Sequence, residues 1–202
     1  MKFSRRERII AYHEAGHAVA ARVMGVGVPH VALFPTIDAE AVAGACSESA
    51  AWRVRDADVP ARLAAHEKDA KVSLAGPQAQ HRYRPVRDFK KSWADNWRDD
   101  HLVAKSCATK IVLLEDGVEV GEATVSVTLT EEQGRRINTL LHRLSKEAAA
   151  LVEENWLAVE RVAQELLQRK ILSETDLDVL IANEPRSRGE GAEAKLWFGT
   201  DG

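Results

Sequence analysis

A mainly α-helical fold with a small antiparallel β-sheet is what this sequence predicts, on three observations. Most of its segments carry apolar residues at three- and four-residue spacing. Two of them open with capping-box sequences, and only two short stretches have β-like character. The 202 residues, 45% hydrophobic and 29% charged, suffice to bury one core.

Ser4 followed by Glu7 is the first capping box, and Ile9, Ile10, Ala18, Val19 and Val23 keep helical spacing from Arg5 to Met24. Gly25 and Gly27 stop that helix. The apolar run from Val28 to Phe34 reads as a short, partly exposed strand, with Pro29 favouring an edge position or a strand start. A loop containing Pro35, Gly44 and Ser47 is expected next. Asp58 as N-cap and Pro60 in the first turn open a second helix through Leu63, Val72 and Leu74, which Gly76-Pro77 is expected to break or kink. The stretch from His81 to Asp99 is polar with four aromatic residues, Tyr83, Phe89, Trp93 and Trp97.

A third helix is expected from about Asp95 to Leu114, on Leu102, Val103, Cys107, Ile111 and Leu114. Its Ala104 and Ala108, facing Ala15 and Ala18 of the first helix, predict that these two helices pack together. Partial alternation between Gly117 and Thr130 suggests a strand or hairpin. Thr130 and Gln133 then form the second capping box, opening a long amphipathic helix that runs through Ile137, Leu140, Leu144 and Leu151 to a junction near Asn155. A further helix continues from Trp156 to Lys170, and Ser173 with Asp176 caps a short last one. The chain therefore divides into a folded part, 1–183, with a lobe at 1–115 and a C-terminal helical lobe at 116–183, and a disordered tail at 184–202.

A formal charge of -3 supplies no basic field for nucleic acid or an anionic membrane surface. The basic start Lys2, Arg5, Arg6 and Arg8 superficially resembles a signal peptide, but His13, Glu14, His17 and Arg22 interrupt the apolar region that one needs. No window approaches the roughly 18 apolar residues of a spanning helix. Cys46 and Cys107 form no CxxC pair and imply neither a thiolate metal site nor a disulfide framework, which fits a reducing cytoplasm.

The chemistry concentrates in His13-Glu14-Ala15-Gly16-His17, an H-E-x-x-H sequence inside a segment independently read as helix. Residues four apart lie on one helix face about one turn apart, so two imidazoles can reach one ion and supply half of a tetrahedral shell. Glu14 stands one residue past the first ligand, placed to hydrogen-bond a water whose pKa zinc lowers toward about 7. At least one further protein ligand is needed. His30, His66, Glu67, Asp69, His81, Asp99, Asp100 and His101 are the candidates, and spacing alone does not choose among them.

The octet Ala11-Tyr12-His13-Glu14-Ala15-Gly16-His17-Ala18 resembles the zinc helix of the FtsH-type, AAA-linked metallopeptidases. Val28-Pro29-His30-Val31 is similar to that family's strand after the zinc helix. Leu74-Ala75-Gly76-Pro77-Gln78-Ala79-Gln80 stands where the family has Leu-Gly-Gly-x-x-Ala-Glu. Asp100, with Ala104, Ala108 and Val112 following at steps of four, is similar to the family's Asn-Asp-hydrophobic helix, and Asn155 to Leu177 to its C-terminal helices.

This resemblance, covering about Arg8 to Ile181, implies a zincin-like active-site helix and a C-terminal helical bundle. It also implies Zn2+ held by His13, His17 and Asp100, with Glu14 as catalytic base, and Asp99 competes with Asp100 as third ligand. The implied activity is hydrolysis of peptides or unfolded protein segments, and the implied partners are further copies of the chain and a separate ATPase acting in trans. Four departures accompany it. The chain carries no GxxxxGK[ST] motif, Gln80 replaces the family's glutamate, Asp95-Asn96-Trp97-Arg98 replaces its Thr-Gly-Ala stretch, and the family's glycine-methionine-serine turn after the third helix is absent.

Two functions stay open at this level: a metallopeptidase working without an ATPase of its own, and a catalytically weak or inactive zinc-binding module that captures peptides. Trp93 and Trp97 are core anchors or an apolar wall near the metal, and Cys107 is a small core residue. His30 reads as a half-exposed structural histidine, and Arg82, Arg84 and Arg87 as a solvated basic loop. Leu196-Trp197-Phe198 is an apolar triplet in a polar tail.

Overall fold

Reciprocal capping starts the first helix as the sequence requires. In the computed structural model, which describes residues 3–35, 41–46, 49–87, 97–119 and 128–182, the Ser4 hydroxyl accepts from the Glu7 amide (3.1 Å). The Glu7 carboxylate in turn accepts from the Ser4 amide (2.8 Å), and α1 runs Arg5–Val23. Gly25 follows at φ 72°, a conformation glycine adopts without steric cost.

Strand β1 (His30–Pro35) begins directly after Pro29, so the strand start is as expected. It is not an edge strand. It lies between β2 (Ala41–Cys46) and β3 (Ile171–Ser173) in a three-stranded antiparallel sheet of order β2-β1-β3. Ala32 pairs with Gly44 on one side and with Ile171 on the other. Strand β2 replaces the expected loop: Ala-Val-Ala-Gly-Ala-Cys has no period-2 contrast, and pairing with β1 supplies what its own residues lack.

Helix α2 (Ala50–Arg53) precedes α3 (Val59–Tyr83), whose first turn is capped by the Asp58 carboxylate accepting from the Ala61 amide (3.0 Å). The break expected at Gly76-Pro77 does not occur, and α3 continues to Tyr83. A proline disfavours helical geometry in the residue before it partly through that residue's Cβ, and Gly76 has none. Helix α4 spans Arg98–Glu115. The second capping box forms between Thr130 and Gln133 and opens α5 (Glu131–Glu154), which gives way at Asn155 to α6 (Trp156–Arg169). Asp176 accepts from the Ser173 amide (2.8 Å) and hydroxyl (2.7 Å) at the start of α7 (Glu174–Ala182). The strand expected within Gly117 to Thr130 falls largely outside the described residues, as do Phe89, Trp93 and the tail at 184–202.

Helix α1 is buried on nearly every side, and apart from Tyr12 and Glu14 its buried residues are small: Ala11, Ala15, Gly16, Ala18, Val19, Ala20 and Ala21. Each methyl contributes only about 0.8 kcal/mol, so α1 is held by close approach on several faces, with Tyr12, stacked between Tyr83 and Trp156, as its one large buried apolar side chain. Ala75 and Ala79 of α3, Ala158, Val159, Val162 and Ala163 of α6, and Val31 and Leu33 of β1 share its core. That core joins residues before 115 to residues after 131.

The expected packing of α1 on α4 is not found. Helix α3 lies between them, contacting α1 on one side and α4 on the other. Ala104 and Cys107 of α4 pack with Ala70 and Leu74 of α3 and Leu144 of α5, while Ala108 joins Val112 and Ile137. The small residues do permit close helix approach, but α3 is the partner of both. No helix among the described residues is long and apolar enough to cross a membrane.

Candidate metal centre

Helical geometry puts His13 and His17 one turn apart on α1, with ring centroids 4.7 Å apart and planes near perpendicular (82°). Their Nε2 atoms approach to 3.0 Å. Asp100, in the first turn of α4, completes the group from across α3: one carboxylate oxygen lies 3.2 Å from His13 Nε2 and the other 3.3 Å from His17 Nε2. One ligand atom from each residue falls within 4.8 Å of the others, and this trio could hold a metal ion.

The outward ring nitrogens decide what faces inward. His17 Nδ1 lies 2.8 Å from the Val72 carbonyl, an oxygen that can only accept, so Nδ1 carries the proton. His13 Nδ1 lies 3.1 Å from Gln80 Oε1, which also accepts from the Trp97 indole N–H (3.0 Å). With both Nδ1 atoms donating outward, two Nε2 lone pairs and a carboxylate converge. Three acceptors meeting in a partly buried place require a cation or a proton between them, and that donor set suits a divalent metal.

Space for this arrangement comes from missing side-chain atoms. A Cβ on Gly76 would lie 2.3 Å from His17 Nε2 and 2.5 Å from its Cε1, so the imidazole occupies the place a side chain would take. A Cβ on Gly16 would meet Ala79 Cβ at 2.6 Å and the Ala75 carbonyl at 2.7 Å. The two glycines let α1 and α3 cross closely enough for His17 to reach the α3 backbone.

The charges are strongly coupled. Burial opposes a positive charge on His17, but the Asp100 carboxylate, then Glu14 and the Val72 carbonyl, more than offset it and raise the imidazole from its ordinary 6.5 to about 9. Burial likewise works against the Asp100 anion. The two imidazoles beside it, His13 and His17, outweigh it and hold the carboxyl well below the usual carboxylate range. In the metal-free protein a proton on His17 therefore serves as the cation.

Glu14 is buried, 7% exposed, and no hydrogen bond or ion pair ties its carboxylate to another described residue. Among the other ligand candidates, Asp99 and His30 are exposed. Asp69 is committed to the Ala50 and Ala51 amides and the Ser49 hydroxyl, and His81 Nδ1 accepts from the Val86 amide. Neither His66, Glu67 nor His101 joins a metal-binding group among the described residues.

Trp97 is buried, 1% exposed, and acts through its N–H as well as its ring. Gln80 and Gly76 were legible only as positions in a motif, and their contacts with His13 and His17 have no local sequence signal. Cys107 sits in the core as expected, its thiol pushed up to about 12 by burial. No protein-family model matches the chain and no curated protein matches it in sequence, so what the centre does is argued from its own geometry.

Proposed function

We propose that the chain is a zinc-dependent peptidase in which His13, His17 and Asp100 hold the metal and Glu14 is the general base, on a zincin-like helix. The observation that carries this reading is the convergence of both Nε2 atoms and the Asp100 carboxylate, with Glu14 buried beside them on the same helix and bound to nothing else in the described chain. Two imidazoles and one carboxylate form a three-ligand set of the kind catalytic zinc takes, since such sites keep a further position open. Zinc there would polarise a peptide carbonyl and lower the pKa of a water from about 15.7 to about 7.

The chain's own groups supply the rest. Glu14 accepts the proton that water loses as its oxygen adds to the carbonyl carbon. It returns that proton to the amide nitrogen as the C–N bond breaks, which leaves one free carboxylate and one free amine. A glutamate at this place is not needed for metal binding, and a carboxylate tied to no other described residue is available for proton transfer. Peptides or unfolded segments are the substrates this reading assigns.

Glu14→Gln separates chemistry from binding. The variant should keep near-stoichiometric zinc and lose peptide hydrolysis by the roughly 10²–10⁴-fold that a positioned base contributes. Unchanged cleavage would overturn the mechanism. A parent protein that binds zinc tightly yet cleaves nothing in a broad peptide library would make the zinc-binding, peptide-capture module the better reading.

A further inference from the structure

Two donors converge on one oxygen at the outer edge of the metal centre. The Trp97 indole nitrogen and His13 Nδ1 lie 3.0 and 3.1 Å from the same atom, Gln80 Oε1. We propose that Trp97 is a positioning residue that selects the metal-binding tautomer of His13, with the Gln80 amide as the relay between them. The inference deepens the metal-centre reading and rests on it for its metal readout.

A carboxylate accepts from any direction, whereas a glutamine amide has two faces, an accepting oxygen and a donating NH2. A neutral histidine can match either face by moving its proton from one ring nitrogen to the other. His13 and Gln80 alone thus have two self-consistent arrangements. In the first, Nδ1–H donates to the amide oxygen and the Nε2 lone pair faces Asp100 and His17. In the second, the amide NH2 donates to Nδ1, and the proton moves to Nε2, where it blocks the metal.

Indole has no such choice, because its N–H can only donate. With Trp97 buried and its nitrogen 3.0 Å from Gln80, the flipped amide would set NH2 against N–H, two donors with no acceptor between them. The first arrangement is the one that survives. Trp97 is also the residue immediately before α4, three positions ahead of Asp100, so the start of α4 that supplies the carboxylate also sets the His13 ring. Outer partners of metal-bound histidines are worth about 10–100-fold in metal affinity when removed.

A double-mutant cycle tests this, because a glutamate at position 80 accepts from both donors in either orientation and needs no selector. Zinc affinity is measured by chelator competition for the parent, Trp97→Phe, Gln80→Glu and the double variant. Trp97→Phe should lose about 10–100-fold on its own, and should lose almost nothing when made in the Gln80→Glu background. Equal losses in the two backgrounds would mean that Trp97 acts only by filling space, and no loss in either would overturn the proposal outright. The tautomer is read independently from the His13 imidazole 15N shifts of the metal-free protein. The parent should show the Nδ1–H form and Trp97→Phe a mixture; the pure Nδ1–H form in both would refute the selection. Should Trp97→Phe fail to fold, Gln80→Met decides, since it removes the relay and must also produce the mixture. A parent that binds no zinc but passes the tautomer test would sink the metal reading while leaving the Trp97 selection intact.

Discussion

Replacing Gly76 by alanine sets two effects of opposite sign against each other. In a helix interior that exchange ordinarily stabilises by about 0.8–1.0 kcal/mol, because alanine has the better propensity. Here the added Cβ would stand 2.3 Å from His17 Nε2, 2.5 Å from Cε1 and 2.7 Å from Cδ2, whereas ordinary contact begins at 3.4 Å. The imidazole must retreat by roughly 1 Å, or α1 and α3 must part. Parting is resisted by the Gly16 crossing, and retreat breaks the 2.8 Å hydrogen bond to Val72. Overpacking of this kind costs about 1–3 kcal/mol, so the net effect on fold stability is small or unfavourable.

Metal binding is the sharper readout. Functional zinc sites keep ligand distances within about 0.2 Å, and a displacement several times larger removes His17 as a ligand. Gly76→Ala should therefore lose more zinc affinity than the about 10–100-fold attached to an outer-partner change. Chelator competition gives the affinity, and circular dichroism on the same sample gives the melting temperature. A Gly76→Ala protein that is more stable than the parent and binds zinc equally well would refute the packing argument.

Four further outcomes are expected. Asp100→Asn should weaken zinc binding, because an amide oxygen can still coordinate without the charge that holds the dication, while Asp99→Asn, at an exposed position, should leave the same titration unchanged. Since His17 is raised to about 9, zinc must displace its proton near neutrality; apparent affinity should rise about tenfold per pH unit and level off above about 9, which calorimetry in buffers of different ionisation enthalpy will check. The same pair sets the metal-free protein's stability window: the His17 contribution is complete below about 6.5 and lost as pH rises through about 9, and the Asp100 contribution is present above its ordinary 3.8 and lost as pH falls through its depressed value, so melting temperatures in chelator should fall on both flanks. Cys107, buried and with its thiol pushed up to about 12, should resist alkylation until the protein unfolds, as read by peptide-mapping mass spectrometry.

The features legible along the linear chain are those that depend on neighbours within a turn or two. Ser4 with Glu7, Thr130 with Gln133, and Ser173 with Asp176 cap helix starts through residues three apart, and all three were readable. The spacing of His13 and His17 alone put both rings on one helix face. The third member of the candidate metal group was different in kind. Asp99 and Asp100 are chemically equal neighbours at a helix start, and only the way α4 docks on α3 turns Asp100 inward and leaves Asp99 exposed.

Tertiary structure decided the rest for the same reason. The small residues of α1 and α4 advertise close packing but do not name the partner, and α3 came between them. Strand β2 has too little side-chain contrast to announce itself, and three-residue β3 is a strand only because β1 is there to pair with it. Gly76-Pro77 argued for a broken or kinked helix, yet the helix runs on through Pro77, and the missing side chain of Gly76 makes room for His17. Gln80 and Trp97 are unremarkable polar and aromatic residues until folding brings an indole N–H, an amide oxygen and an imidazole to one point. A linear pattern reports a side chain's period and chemistry; which atom it will face is settled by long-range packing, and in this protein that packing orients the His13 ring, makes room for His17 and turns Asp100 toward both.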